Sequence, residues 1–512
     1  MTSQIPRRIV ILGGGTAGWM LAASLTRAFK PQYATVRLIE SGDISIVGVG
    51  ESTLPQVRDF NEFLGLDEAE FMRETNATFK LAIEFRDWAR EGDCYFHPFG
   101  VHGHAIQGIP FLHCWLRAKA HGHHFNIDDF SYPSVASREQ KFEFPSKDMS
   151  SIRSTYSYAY HFDAYLYAAY LRRWSEKRGL KRTEGTVVDV NLRAEDGFIQ
   201  SLTLASGEVI EGDLFIDCSG FRGVLINQAL KMEWEDWQTW LPCDRAWALS
   251  NDLDADSTAT TRCTAREAGW QWRIPLQKRI GAGYVFSSRF TTEERAREVL
   301  LGNLDGPAQG EPRLIRFQSG RRKKSWHKNC IALGLASGFL EPLESTSIYM
   351  SQIAVNFLMS LFPGQPINPV LAEEYNRLVD IEYTRVRDFL ILHYHASGNR
   401  DGELWRHVQT MQLPDSLLDK LEIFKRRGHI HRYRDGLFSP ASWTAIYTGQ
   451  RISPGGYDPQ ADNIDFDNML KTMMELRERI AANVATMPNH AEFVRGYCAA
   501  PASGAPHGSV HV

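Results

Sequence analysis

The sequence predicts an α/β fold, a Rossmann-like nucleotide-binding module with an additional, mostly helical subdomain. Three observations predict it. An apolar strand over residues 7–12 runs into Gly13-Gly14-Gly15-Thr16-Ala17-Gly18, a helix follows over 19–29, and a second strand over 35–40 ends on Glu40. Two later apolar strands each end in a glycine-bearing turn, Asp217-Cys218-Ser219-Gly220 and Gly334-Leu335-Ala336-Ser337-Gly338. Beyond residue 350 the apolar spacing becomes helical, with an apolar helix over 348–362 stopped by Pro363-Gly364 and a charged amphipathic one over 464–484. The expected division is 1–350 for the nucleotide-binding module with interleaved substrate-site segments, 351–495 for the helical substrate subdomain, and 496–512 for a disordered tail rich in Ala, Pro, Gly and His.

The opening βαβ unit carries the most specific local signal. The glycine run satisfies G-x-G-x-x-G, follows a strand, opens a helix, and is followed at the end of the next strand by an acidic residue, Glu40. Gly13 permits the tight turn, Gly15 lets the backbone approach a pyrophosphate, and Gly18 allows close helix–strand packing. Thr16 and Ala17 lie in the turn before the helix, whose N-terminal amides and dipole favour an anion, and Glu40 is placed to hydrogen-bond a ribose hydroxyl. Downstream, a helix is expected over 156–179, a β-meander over 185–191, 198–204 and 208–217, and a strand pair over 279–290. On a strand, Trp270 and Trp272 of Trp270-Gln271-Trp272-Arg273-Ile274-Pro275 share one face and make a bulky wall, for core packing or for closing a cavity.

Composition narrows the function classes. Hydrophobic residues at 43% and charged residues at 23% are ordinary for a globular protein, and a net charge of −4 offers no basic field for nucleic acid or an anionic membrane. The seven cysteines are odd in number, widely spaced and without a CxxC pair, which argues against a disulfide framework and a structural zinc site and for a reducing cytoplasm. No run of ~18 apolar residues is present to span a membrane. Arg7-Arg8 before Ile9-Val10-Ile11-Leu12 mimics a signal peptide, but the apolar run is cut at once by three glycines. The histidines at 102, 104, 113, 121, 123 and 124 lack a carboxylate at ligand spacing, so a polar rim near a substrate entrance is expected there rather than a metal.

The glycine fingerprint serves FAD and NAD alike. The two later glycine turns favour FAD, because flavoproteins return to the cofactor from late in the chain, although each turn alone reads equally well as a strand end. No second G-x-G-x-x-G sits in a βαβ context, so no dedicated NAD(P)H site is visible and reduced flavin is expected from a separate reductase.

Further strings carry a resemblance. The glycine fingerprint, Gly48-Val49-Gly50-Glu51-Ser52-Thr53, Phe79-Lys80 in Thr78-Phe79-Lys80-Leu81-Ala82, His97-Pro98-Phe99-Gly100, the W-x-W-x-I-P string and Glu341-Pro342-Leu343-Glu344-Ser345-Thr346 occur in one order over most of residues 9–350. Together they resemble the flavin-dependent tryptophan halogenase family. The resemblance implies an FAD-binding module of the flavin monooxygenase type, with Gly50, Glu51, Leu335 and Gly338 joining the fingerprint residues at the cofactor. It implies that FADH2, O2 and a halide ion, chloride or bromide, give hypohalous acid, which Lys80 relays to an electron-rich aromatic substrate. Glu344 would polarise the reagent or take the ring proton, and Thr346 and Ser347 would hold the halide. Trp270 and Trp272 would keep the substrate from the flavin, and His97 and Phe99 would line the substrate pocket. A separate NAD(P)H-dependent flavin reductase is implied, and a homodimer is allowed.

Taken singly, these residues read differently. Lys80 reads as a solvated surface lysine, Glu344 as compensation of a helix dipole, and Ser345-Thr346-Ser347 as a helix cap. Two departures from the family pattern bear on substrate. Ser347 stands where tryptophan-specific members have glycine, and nothing in 442–459 before Asp458 can grip an ammonium group. The expected substrate is therefore indole or an indole derivative rather than free tryptophan. Two competing readings remain: a flavin-dependent aromatic hydroxylase, which needs neither Lys80 nor the tryptophan wall, and a non-catalytic flavin-binding protein, which Lys80→Ala would leave intact.

Overall fold

The computed structural model describes residues 8–42, 50–253, 257–364, 366–398, 400–433 and 436–500. Gly48 and Val49 of the expected cofactor string, and the expected tail from residue 501 onward, lie outside these residues.

The buried strand Arg8–Leu12 lies between two parallel neighbours, Leu214–Asp217 and Thr35–Glu40. Cys330–Ala332 continues the sheet parallel on one side and Lys181–Glu184 on the other, with Trp326–His327 antiparallel at the edge. Helix Thr16–Ala28 buries Trp19, Met20, Leu21 and Leu25 against it. The carboxyl ends of Arg8–Leu12, Leu214–Asp217 and Cys330–Ala332 therefore converge, which is where open parallel sheets bind ligands. Both later glycine turns sit at that edge.

A seven-stranded sheet forms the second layer, running from Ala308–Arg316 through Arg245–Asn251, Ile280–Phe286, Gly269–Pro275, Thr260–Arg266 and Ala82–Arg86 to Cys94–Pro98. The tryptophan string is thus a buried inner strand, with Gly269–Pro275 antiparallel to both neighbours. A small third sheet joins Gly50–Ser52 and Thr78–Lys80 to opposite edges of Ala159–Asp163. After it come the long helices Thr346–Ser360 and Pro369–His395 and then Glu403–Thr410, Asp415–Arg427, Pro440–Gly449, Phe466–Ala485 and His490–Cys498.

Four expectations need correction. The helix expected over 156–179 is a strand, Ala159–Asp163, followed by a helix over Ala164–Glu176. Asp163 starts that helix by accepting from the amides of Tyr165 and Leu166, and pairing on both strand edges decides the conformation before it. The segment 208–217 divides: Val209–Glu211 closes the meander, while Leu214–Asp217 enters the parallel sheet. Residues 279–290 supply one strand, Ile280–Phe286, not two. Helix His490–Cys498 runs past residue 496, where a tail was expected to begin.

Candidate functional site

The glycine fingerprint divides by task. Gly13 has φ +117°, and a Cβ there would lie 2.2 Å from the Cys218 carbonyl oxygen; a Cβ on Gly18 would lie 2.0 Å from the Gly13 carbonyl oxygen. These two glycines pack the turn onto the strands. A Cβ on Gly15 meets nothing within 4 Å, so this backbone is open on the cavity side, at the start of a helix that has no side-chain cap. Gly14, to which the sequence assigned no task, is required as well, because a Cβ there would fall 1.6 Å from the Glu40 carboxylate. Glu40 itself is already engaged: it pairs with Arg182 and Arg172 and accepts from the Trp19 indole at 3.2 Å.

From Gly15, Thr16 and Ala17 a cavity of about 380 Å³ extends along the sheet edge. Gly50, Glu51, Leu335 and Gly338 line it, and so do Trp270, Trp272, Thr346 and Ser347. Burial pushes the Glu51 carboxyl up to about 7, so it can donate or accept a hydrogen bond near neutral pH. A flavin dinucleotide fits this donor set. The open backbone and helix N-terminus suit a pyrophosphate, and the buried Trp272 Nε1, which has no hydrogen-bond partner among the described residues, suits a polar ring edge. The two indoles stand 6.2 Å apart at the cavity wall, and Trp270 Nε1 donates to Glu341 at 3.2 Å. Glu341, pushed up to about 8 by burial, is also bonded by the Tyr394 hydroxyl at 2.9 Å.

Lys80, Glu344, His97 and Phe99 do not line the cavity, and Lys80 reaches its wall through Ser345. Lys80 is fully buried, not a surface lysine. The third sheet places it, since Lys80 lies opposite Ala159. Its Nζ donates to the Thr53 carbonyl at 3.0 Å and to Ser345 Oγ at 3.1 Å, and lies 4.9 Å from the centre of the Phe99 ring. Burial lowers its pKa to about 7, against the partial opposition of Glu344 and Cys263.

Glu344 is held by two histidines: His97 Nδ1 lies 2.7 Å from one carboxylate oxygen and His393 Nε2 2.8 Å from the other. Burial alone would raise this carboxyl, but the imidazoles outweigh it and hold the pKa down to about 2. His393 Nδ1 also faces the Phe389 carbonyl at 2.8 Å, so both of its ring nitrogens donate, one to a carbonyl and one to a carboxylate. The pair is thus an ion pair inside an aromatic shell in which Phe389 stacks on Phe438 at 3.7 Å and Trp443 meets Phe389 edge-on at 5.1 Å. Glu344 does not serve as simple dipole compensation. Nor does Ser345 cap with its side chain: its hydroxyl turns to Ser52 at 2.9 Å, and helix Thr346–Ser360 begins without a side-chain cap, with its first turn at the cavity. The turn that carries these residues is strained, with φ +71° at Glu341, +63° at Glu344 and +60° at Ser345. Non-glycine residues in this region cost about 1–3 kcal/mol each and cluster at functional sites.

Sequence reasoning missed His393, Ser345 as the direct partner of Lys80, and Ser52. His393 lies 49 residues from Glu344 on a helix whose local pattern gives it no distinction. Of the histidines expected at a polar rim, His102 and His113 are buried, and His121 and His123 pack on Phe466. Among the described residues, no group of three or more His, Cys, Asp or Glu is placed to hold a metal ion, and no helix is long and apolar enough to cross a membrane. Asp458 caps a short helix through the Gln460 amide.

Comparison with known proteins matches this geometry to one family. The family model described as "Tryptophan halogenase" matches residues 8–465. A tryptophan 6-halogenase from Streptomyces toxytricini is 37% identical over 96% of this chain and 98% of its own length. Two flavin-dependent halogenases of solved structure superpose along nearly the whole chain. One from Xanthomonas campestris has TM-score 0.94 and 43% identity, covering 98% of this chain and 100% of its own. One from Brevundimonas sp. BAL3 has TM-score 0.93 and 42% identity, covering 96% and 99%.

Proposed function

The chain belongs to the tryptophan halogenase family of flavin-dependent enzymes, and from that premise we propose that it halogenates an electron-rich arene, indole or an indole derivative, with Lys80 as the halogen relay. The observation that carries this reading is the connection of a fully buried Lys80 to the wall of the cofactor cavity through Ser345. Gly15, Thr16, Ala17, Glu51, Leu335 and Gly338 would hold FAD, and the first turn of helix Thr346–Ser360, with Thr346 and Ser347, would hold the halide. Supplied as FADH2 by a separate reductase, the flavin provides, with O2, the oxidation of halide to hypohalous acid.

The remaining chemistry falls to the chain itself. The Lys80 amine takes the halogen from hypohalous acid, an N–X bond replacing an N–H bond with release of water. The arene then takes the halogen and loses a ring proton, and Lys80 returns to the amine. Glu344, ionised and bracketed by His97 and His393, stabilises the cationic ring and accepts that proton. The tryptophan wall separates the substrate from the flavin and so disfavours direct hydroxylation. Indole is favoured over the free amino acid because no carboxylate in 442–459 precedes Asp458, and Asp458 is committed to a cap.

Two measurements test this arrangement. The amine form of Lys80 is needed, and that form grows as pH rises through about 7. The single-turnover rate of arene halogenation should therefore fall on the acid side of about pH 7; a rate flat from pH 5.5 to 8.5 would remove the amine from the mechanism. For the cofactor, Gly15→Val should fold normally and weaken FAD binding about tenfold or more, because its side chain enters open space at the expected pyrophosphate site. Gly13→Ala, with its positive φ and its clash on Cys218, should fail to fold. Equal FAD affinity in Gly15→Val and wild type, by fluorescence titration, would move the pyrophosphate elsewhere.

A further inference from the structure

Behind Lys80 runs a buried chain of hydrogen bonds that leaves the cavity wall and ends on a backbone carbonyl. Ser345 Oγ lies 2.9 Å from Ser52 Oγ, and Ser52 Oγ lies 2.5 Å from Thr261 Oγ1. Thr261 Oγ1 lies 2.9 Å from His161 Nε2, His161 Nδ1 lies 3.1 Å from Thr78 Oγ1, and Thr78 Oγ1 lies 2.7 Å from the Pro275 carbonyl oxygen. His161 and Thr78 are wholly inaccessible to solvent, and each of the other hydroxyl residues is at least nine-tenths buried.

The chemistry of the end group sets the direction of every link. A carbonyl only accepts, so Thr78 must spend its single O–H on Pro275. His161 Nδ1 must then carry the proton and donate to Thr78, which leaves Nε2 bare to accept from Thr261. Thr261 in turn accepts from Ser52, and Ser52 from Ser345. The Ser345 hydroxyl proton is thereby committed away from Lys80, and only its lone pairs face the amine. Burial, with the charges of Lys80, His490 and Arg273, holds the His161 pKa well below its ordinary value, so the ring keeps the neutral form that this direction requires.

We propose that this chain, anchored by Thr78 and read through the Nδ1–H tautomer of His161, positions Lys80 by making Ser345 an obligate acceptor. A neutral amine has two N–H bonds and one lone pair. With Thr53 and Ser345 both accepting, the two N–H bonds are spent and the lone pair takes the remaining tetrahedral position, the one left for the incoming halogen. If the chain ran the other way, the Ser345 hydroxyl would donate to that lone pair and block it. His161 and Thr78 are positioning residues in this scheme, since neither touches substrate, and neither lines the cofactor cavity. The inference rests on the Lys80 relay proposed above.

Thr78→Val tests it. Valine keeps the shape but removes the acceptor for Nδ1–H, so His161 shifts to the Nε2–H tautomer and the chain reverses. Arene halogenation at saturating substrate should fall tenfold or more, with KM for indole within twofold of wild type. Hypohalous acid trapped by a small scavenger should hold or rise, and Thr78→Ser should restore the rate. A Thr78→Val enzyme that halogenates indole within twofold of wild type overturns the proposal. Should that variant not fold, ¹⁵N NMR of histidine-labelled wild type, with His161 assigned by the signal lost in His161→Gln, decides alone. The Nδ1–H tautomer from pH 6 to 8 is expected; Nε2–H or the doubly protonated ring overturns it. Failure of the halogenase reading would look different, because wild type would then yield neither halogenated indole nor trapped hypohalous acid.

Discussion

Lys80→Met is expected to lower arene halogenation about 10³-fold or more while leaving FAD binding within a few-fold of wild type, and to raise thermal stability rather than lower it. The first effect is the loss of the group that carries the halogen, on the scale seen when a nucleophile is removed. The second follows from burial. The folded-state pKa of Lys80 is about 7, below its ordinary value, so folding penalises the ammonium form. The sign is fixed by the direction of the shift: the penalty is full below about pH 7 and is relieved as pH rises from there toward the ordinary lysine range. Methionine is close in shape and pays no such penalty. The variant should therefore melt above wild type at pH 6.5, with the gap narrowing by pH 9, a trade of stability for function. Thermal melts at the two pH values, with mass spectrometry of the indole product, check both halves. An active Lys80→Met would remove the relay from the account.

Glu344→Gln is the second large expected effect, about 10² in single-turnover halogenation together with a loss of roughly 3 kcal/mol of stability, the scale of breaking a buried ion pair by removing one partner. Both carboxylate oxygens face imidazole nitrogens, and His393 is committed at its second nitrogen to the Phe389 carbonyl. A glutamine can turn its carbonyl to His393 but must then offer its NH2 to His97 in place of an acceptor, and it removes the negative charge from an aromatic shell that holds His393. The depressed pKa adds a pH signature. The stability that Glu344 contributes is fully present above its ordinary carboxyl range and is lost as pH falls through about 2. Wild type and Glu344→Gln should thus converge in stability only in strong acid. A glutamine variant with wild-type turnover would relegate Glu344 to structure.

How much of this could be read from the chain depends on the range of the interactions. The fingerprint was legible because its requirements are local: Gly13, Gly15 and Gly18 answer to a strand, a turn and a helix within eleven residues. Even there Gly14 escaped notice, because what it avoids is Glu40 across the next strand. The tryptophan string was legible only conditionally, as two indoles on one face if the segment is extended; it is a strand, and both indoles line the cavity. Lys80 could be singled out by its string but not by its surroundings. Its burial depends on Ala159–Asp163, which helical spacing of Tyr and Leu disguised as the start of a helix. The partners of Glu344 and Ser345 were not legible at all. His393 is 49 residues from Glu344, and Ser52 is 293 residues from Ser345, and no periodicity links them. Nor were the partners of Glu40 legible: it pairs with Arg182 and Arg172, two residues no local pattern ties to it.

The central claim is that oxidised halogen passes through Lys80 to an indole ring. Mass spectrometry of indole incubated with the protein, FAD, a flavin reductase, NADH and bromide, run beside Lys80→Met and beside free tryptophan as substrate, tests it most directly. The account predicts a bromine isotope pair on indole with wild type, little or none with the variant, and a weaker signal from tryptophan. Hydroxylated indole without bromine, or bromination that survives the loss of Lys80, would contradict it.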